Sequence, residues 1–262
     1  MDKINTIIRK EWAEVFKNRF VLFTVAFLPL IFTVLPLGIL YSTRSAGSSN
    51  LTADMPAQFA NLCPPGISGG ECFQIFMVSQ FMILFMLLPV TIPVTIAAYS
   101  IVGEKATRSL EPLLATPITT AELLTGKSLA AAIPAILATW AGFLIYAIGA
   151  RILVPNPQVY LALIDPMWLI AVILVGPLLA IMAVNASIMV SSRVNDPRVA
   201  EQLSMVVIVP VLALFFGQIS GLFFLNRQLI LIIAGILIAI DLGLVYLSVR
   251  LFQRETILTR WK

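Results

Sequence analysis

Six stretches of this chain are long and apolar enough to cross a lipid bilayer: Phe20–Tyr41, Ile75–Ile101, Leu129–Val154, Met167–Val190, Leu203–Leu225 and Leu229–Val249. The hydrocarbon layer is about 30 Å thick, and a helix needs about 20 mostly apolar residues to cross it. No other feature restricts the fold as strongly. The expected fold class is an all-α membrane protein with six transmembrane helices. Charged residues make up 11% of the chain, against about 25% in a soluble domain, which excludes an ordinary water-soluble globule. Prolines interrupt the stretches at Pro29, Pro36, Pro89, Pro93, Pro134, Pro177 and Pro210. They are read as kinks whose freed carbonyls neighbouring groups satisfy. The first stretch is too long for the core of a signal peptide and is read as a retained span.

The residue inventory removes most enzymatic chemistry. The chain has no His, so Ser-His and Cys-His catalysis and His-ligated zinc are excluded. Its two Cys cannot build a zinc or iron–sulfur site alone. No catalytic residue, metal ligand or cofactor is assigned to this chain, and it is read as a non-enzyme. The net charge of +4 is small and lies at membrane edges, so no nucleic-acid partner is expected.

Lys and Arg set the orientation. Fourteen lie in the N-terminal segment, the loops after spans 2 and 4 and the C-terminus; the other side has three, Arg44, Arg151 and Arg227. Both termini are therefore expected in the cytoplasm, with the chain in the plasma (cell inner) membrane. The expected organisation is an interfacial helix over residues 1–19, a six-span domain over 20–249 and a basic tail over 250–262. The largest outer segment, Ser42 to Gln74, holds Cys63 and Cys72 with Gly and Pro between them. Both face the compartment where disulfides persist. The favoured reading is a structural Cys63–Cys72 disulfide, the alternative two free thiols. Asn50-Leu51-Thr52 is a weak sequon match.

The cytoplasmic side carries the most information. In residues 3–19, Ile4, Ile7, Ile8, Trp12, Val15 and Phe16 follow helical spacing, with Lys3, Arg9, Lys10, Glu14 and Lys17 over much of the remaining surface. Such a helix lies in the membrane interface through Ile8, Trp12 and Phe16, with Trp12 at headgroup depth and the basic residues near anionic lipid; the alternative is a frayed cytoplasmic tail. The loop from Gly103 to Lys127 is expected to hold a short helix over residues 104–115. Its apolar face is Leu110, Leu113 and Leu114; Glu104, Lys105, Arg108 and Glu111 form its charged face, and Pro117 ends it. It either lies on the membrane or plugs into a groove on a soluble partner. Thr119 with Glu122 matches a capping box that starts the next helix. Gly126-Lys127-Ser128 resembles the end of a phosphate-binding loop, but residue 121 is Ala and a span begins at once, so ATP binding by this chain is rejected. In the second inner loop, Asp196 and Pro197 read as a helix cap and first position; a contact with a partner or a plain capped turn both fit.

These features together resemble the membrane-spanning subunits of ABC-2-type ATP-binding-cassette transporters (type V exporter-like). The resemblance rests on the basic helix Ile7-Ile8-Arg9-Lys10-Glu11-Trp12 leading into span 1. It rests also on Gly103-Glu104-Lys105, Arg108, Leu110-Glu111, Leu113 to Ile118, Glu122-Leu123-Leu124 and Gly126-Lys127 between spans 2 and 3. It implies that residues 3–19 are an elbow helix and residues 104–117 a coupling helix. The coupling helix would dock on a separate nucleotide-binding subunit through Glu104, Arg108, Leu110, Glu111, Leu113, Leu114 and Pro117. It further implies two permease copies, as a homodimer rather than a heterodimer, with two ATPase subunits that bind ATP and Mg. The function implied is export of a hydrophobic or amphiphilic substrate such as a drug, peptide or lipid. Relatives often carry re-entrant helices between spans 5 and 6, and the 47 residues from Leu203 to Val249 leave no room for a full pair unless span 5 is shortened.

Asp241 is the one acid well inside a span, where an ionised Asp costs about 2.5–3.5 kcal/mol. The favoured reading is a structural or packing role; the alternative is a transport role, in sodium extrusion by the same type of permease or in a self-sufficient ion-coupled transporter. Gln80, Thr91, Thr95, Asn185 and Gln218 complete the candidate substrate path; each alone is equally a helix-to-helix hydrogen bond.

Overall fold

The computed structural model describes residues 2–17, 19–43, 63, 66–106 and 118–251. Among them every regular element is helical. An N-terminal helix, α1 (Asp2–Val15), precedes span 1, α2 (Arg19–Thr43). Span 2 is α3 (Gly69–Phe85) and α4 (Leu88–Ala106); span 3 is α5 (Thr120–Leu153). Span 4 is built in pieces: α6 (Pro157–Leu163), α7 (Pro166–Ile170), a π-helical turn (Ala171–Val175) and α8 (Gly176–Arg193). Span 5 is α9 (Pro197–Ser204), a 3-10 turn (Met205–Ile208) and α10 (Val209–Ile219), and span 6 is α11 (Arg227–Leu251).

The six apolar crossings occur in the expected order, with shifted ends: Val21–Thr43, Gly69–Ala98, Ala121–Leu153, Pro157–Arg193, Arg198–Ile219 and Arg227–Ser248. Two shifts have clear causes. Span 4 starts at Pro157 rather than Met167 because Asn156 and Asp165 each cap a short helix whose first residue is proline. Span 5 ends at Ile219 rather than Leu225. Gly221, with φ +73°, closes the helix: its N–H reaches Gln218 O at 3.1 Å and the Leu222 N–H reaches Gly217 O at 3.1 Å. The Phe223 ring then folds onto Gly217 with no room for a Cβ. Residues 220–226 form a turn, not a re-entrant helix pair.

Spans 2 and 4 make the centre. In span 2, 78% of the most apolar window is buried, against 17% in spans 1 and 5. Met82, Phe85, Leu88, Val90, Ile92 and Val94 are fully enclosed there and meet Ala180, Ala183 and Val184 of span 4 within one core. Span 1 reaches span 3 at Gly142 and Gly149: a Cβ at Gly149 would stand 2.7 Å from Leu37 Cδ1, and Thr33 Oγ1 donates to Gly142 O at 3.3 Å.

Two tryptophans repair backbone opened by proline. Pro134 has no N–H for the carbonyl of Ala130, its partner four residues back. Trp12 Nε1–H donates to that oxygen at 2.9 Å. In the π-helical turn the Gly176 N–H bonds Ala171 O. The next i+5 donor to Val172 O would be Pro177, which has none. Trp140 Nε1–H fills the place at 3.1 Å.

At the end where spans 2 and 4 begin, Cys63 is bonded to Cys72, with Cα atoms 5.8 Å apart. Ser68 and Glu71 form a capping box at the start of span 2. Glu71 Oε1 also accepts from Asn156 Nδ2 at 2.8 Å, tying span 2 to span 4.

Candidate functional site

The opposite end of the bundle holds the loop between spans 2 and 3. Residues 107–117 lie outside the described residues, and with them Arg108, Leu110, Glu111, Leu113, Leu114 and Pro117. Glu104 falls in the last turn of α4. Both flanks of the loop are described, and both are braced.

The flank on span 3 is braced by α1. The inward stripe of α1 runs Ile4, Ile7, Ile8, Glu11, Trp12, Val15, so an acid sits inside an apolar face. Its partner is Lys127, whose Nζ lies 2.8 Å from Glu11 Oε1; the two side chains are 1% and 7% exposed. A buried charge needs a partner of this kind, because its desolvation costs several kcal/mol. Ile7 is buried directly over Gly126, where a Cβ would stand 2.8 Å from Ile7 Cγ2. The indole of Trp12 completes the contact at Ala130. The outer pair Lys3–Glu122, at 3.8 Å, is solvated and adds little. Thr119 and Glu122 form the expected capping box: Thr119 Oγ1 accepts from the Glu122 N–H at 3.2 Å, and the Thr119 N–H donates to Glu122 Oε2 at 2.8 Å. Gly126-Lys127 is thus a seat for α1.

The flank on span 2 is braced by span 4. Ser191 Oγ donates to Ala98 O at 2.9 Å and accepts from the Val102 N–H at 3.2 Å, bridging both ends of one helical rung. Ala98 and Val102 pack on Ala200 of α9, with Val194 beside them. Asp196 caps α9, accepting from the Arg198 N–H at 2.7 Å, and Pro197 takes the first position, as the sequence suggests.

The elbow residues divide. The helix ends at Val15 rather than at residue 19. Ile8 and Trp12 are half-buried; Phe16, 42% exposed, stands edge-on to Trp12 in the turn that follows. The sequence-based reading missed Glu11 and Lys127 as a pair. The signal was present: each is a charge inside a helical stripe of apolar residues.

Most of the candidate path residues bond within their own segments. Thr91 and Thr95 donate to Leu87 O and Ile92 O of their own helix, and Asn185 donates to Ile181 O. Gln218 Oε1 accepts from the Leu225 N–H at 3.4 Å in the outer turn. Gln80 and Asp241 are buried, and neither the Gln80 amide nor the Asp241 carboxylate has a hydrogen-bond partner among the described residues. No group of three or more Cys, Asp and Glu side chains among the described residues is arranged to hold a metal ion.

The chain is thus a helical bundle with six helices long and apolar enough to cross a bilayer. Comparison with curated proteins finds no similar sequence. Comparison with protein families finds the ABC-2 family transporter protein, matched over residues 5–234, from α1 into span 6. That match covers most of the chain and includes both braced flanks: this is a multi-pass membrane protein of the ABC-2 transporter family.

Proposed function

We propose that this chain is the permease subunit of an ABC exporter. Residues 104–117 are the coupling helix and dock on a separate nucleotide-binding subunit in the cytoplasm, where both termini of the chain also lie. Two copies of the chain, as a homodimer in the plasma membrane, work with two such subunits, which bind ATP and Mg. The cargo is hydrophobic or amphiphilic. The single observation that carries this reading is the bracing of both segments that flank residues 107–117. A lever transmits force only when its ends are fixed to what it moves. Here one end is fixed through Glu11–Lys127 and Trp12 to span 3, and the other through Ser191 to spans 2 and 4. In this arrangement residues 2–15 are a strut as well as an interfacial helix.

The coupling face gives the test. Leu114→Asp puts a charge into an apolar groove contact and is expected to weaken co-purification of the ATPase subunit at least about tenfold. Membrane insertion should be unchanged. Retention of the ATPase at the wild-type ratio, with normal transport, would refute the docking role.

A second reading, sodium extrusion by the same complex, is favoured by the buried carboxylate of Asp241, which has no hydrogen-bond partner among the described residues. Asp241 lies beyond the stretch matched to the family. If that carboxylate serves sodium, Asp241→Asn abolishes stimulation of the complex's ATPase activity by sodium while leaving stimulation by amphiphiles. No sodium stimulation in the wild-type complex would end this reading.

A further inference from the structure

Two cavities lie one above the other between spans 2, 4, 5 and 6 of a single protomer. The first, of about 400 Å³, has apolar walls throughout, with Ile83, Met182, Val211, Ala213, Leu214 and Leu237 among them. The second, of about 540 Å³, sits where spans 4 and 6 begin and span 5 ends, and its wall is mixed: Ser79, Asp165, Gln218, Asn226 and Arg227 join apolar residues. Trp168 and Leu225 belong to both walls, so the chambers adjoin. Each is within the range of about 300–1,000 Å³ that small-molecule sites occupy.

The polar chamber holds one cation, Arg227, and one carboxylate, Asp165. Part of its hydrogen-bonding capacity is used by the chain itself. Gln218 Oε1 receives the Leu225 N–H and Asn226 Oδ1 receives the Leu229 N–H at 2.8 Å, while Ser79 donates its hydroxyl to Phe76 O at 2.7 Å and keeps its oxygen as an acceptor. Asp165, the one carboxylate in the wall, accepts the Met167 N–H on Oδ1 at 2.7 Å as a helix cap and keeps its charge and Oδ2. What remains to face a ligand is three donor groups, the NH₂ groups of Gln218 and Asn226 and the guanidinium of Arg227, beside the open acceptors Ser79 Oγ and Asp165 Oδ2. Arg227 has no ion-pair partner among the described residues. Gln218 is 3% exposed, so its free NH₂ is enclosed rather than solvated.

We propose that spans 2, 4, 5 and 6 of one protomer bind an anionic amphiphile with one hydrocarbon chain, the chain in the apolar cavity and the headgroup against Arg227, Gln218 and Asn226. The site names a cargo class for the exporter and rests on that reading for its role in transport. Binding to the chain alone does not depend on it. The negative charge of the headgroup is assigned from Arg227, the chamber's one cation, which has no ion-pair partner among the described residues, and the tail must be apolar because the adjoining cavity offers no hydrogen bond.

Trp168, at the junction, reports occupancy. The full chain, purified without an ATPase subunit, is titrated with a long-chain brominated fatty acid and with the brominated alcohol of equal length, and tryptophan quenching is followed. The acid should quench with saturation, and Trp168→Phe should remove the saturable part. Arg227→Gln, at an exposed position, should weaken the acid about tenfold and leave the alcohol unchanged. Ala213→Phe, which fills the apolar cavity, should weaken both. Quenching that is unsaturable, indifferent to Trp168→Phe and Ala213→Phe, or equal for acid and alcohol before and after Arg227→Gln would overturn the proposal. Because no ATPase subunit is present, that failure is distinct from failure of the coupling helix to dock.

Discussion

Lys127→Met should be among the most damaging single substitutions in the chain. It removes one member of a pair whose side chains are almost wholly enclosed and leaves the Glu11 carboxylate without its 2.8 Å partner. Breaking a buried pair from one side costs about 3–5 kcal/mol, most of it the desolvation of the remaining charge. The first consequence is release of α1 from span 3, since Glu11 escapes by moving into water. Hydrogen exchange over residues 2–15 should therefore rise steeply, and the thermal midpoint should fall. The double variant Glu11→Met/Lys127→Met should recover most of the loss, because replacing both partners with apolar groups is often nearly neutral. If the single variant keeps wild-type protection over α1, the pair does not hold the strut.

Gly126 gives the second large effect. The contact there is between Ile7 and the helix backbone, and a new Cβ would sit 2.8 Å from Ile7 Cγ2 and 2.9 Å from Ile7 Cβ. No rotamer change relieves a clash with a Cβ, so α1 must lift away, stretching the Glu11–Lys127 pair and the Trp12 bond. In an unconstrained helix interior Gly→Ala gains about 1 kcal/mol. Here overpacking of about 1–3 kcal/mol opposes it, and the pull on the pair adds to that. Gly126→Ala is expected to be net destabilising, and Gly126→Leu to detach α1, visible as proteolysis within residues 2–17. The sign is decisive: a raised thermal midpoint in Gly126→Ala would show that the close approach is wrong.

The six crossings were legible because length and apolarity are properties of single segments, and so were the caps at Thr119 and Asp196, which are local. Span ends were less so. Hydropathy does not mark where Gly221 turns the chain, or that Asn156 starts span 4 early. The seat of α1 was illegible for a different reason. Glu11 entered only as one position of the basic helix Ile7 to Trp12, and Lys127 as a loop cation counted for orientation. Only their position within apolar stripes marks them, and that signal names a need, not the partner. The apolar and polar chambers between spans 2, 4, 5 and 6 draw on four segments and have no signature in any one of them.

The indole at residue 12 answers an imino acid in the third crossing. A hydrogen atom missing at Pro134 thus dictates which side chain the other end of the polypeptide must supply. Chimeras inherit this debt. A hybrid that keeps the third crossing but exchanges the first dozen residues for ones without an indole would carry a bare oxygen into oil. One that imports a third crossing without the proline would leave the indole with nothing to mend. Segment swaps among such permeases should move these two positions as a unit.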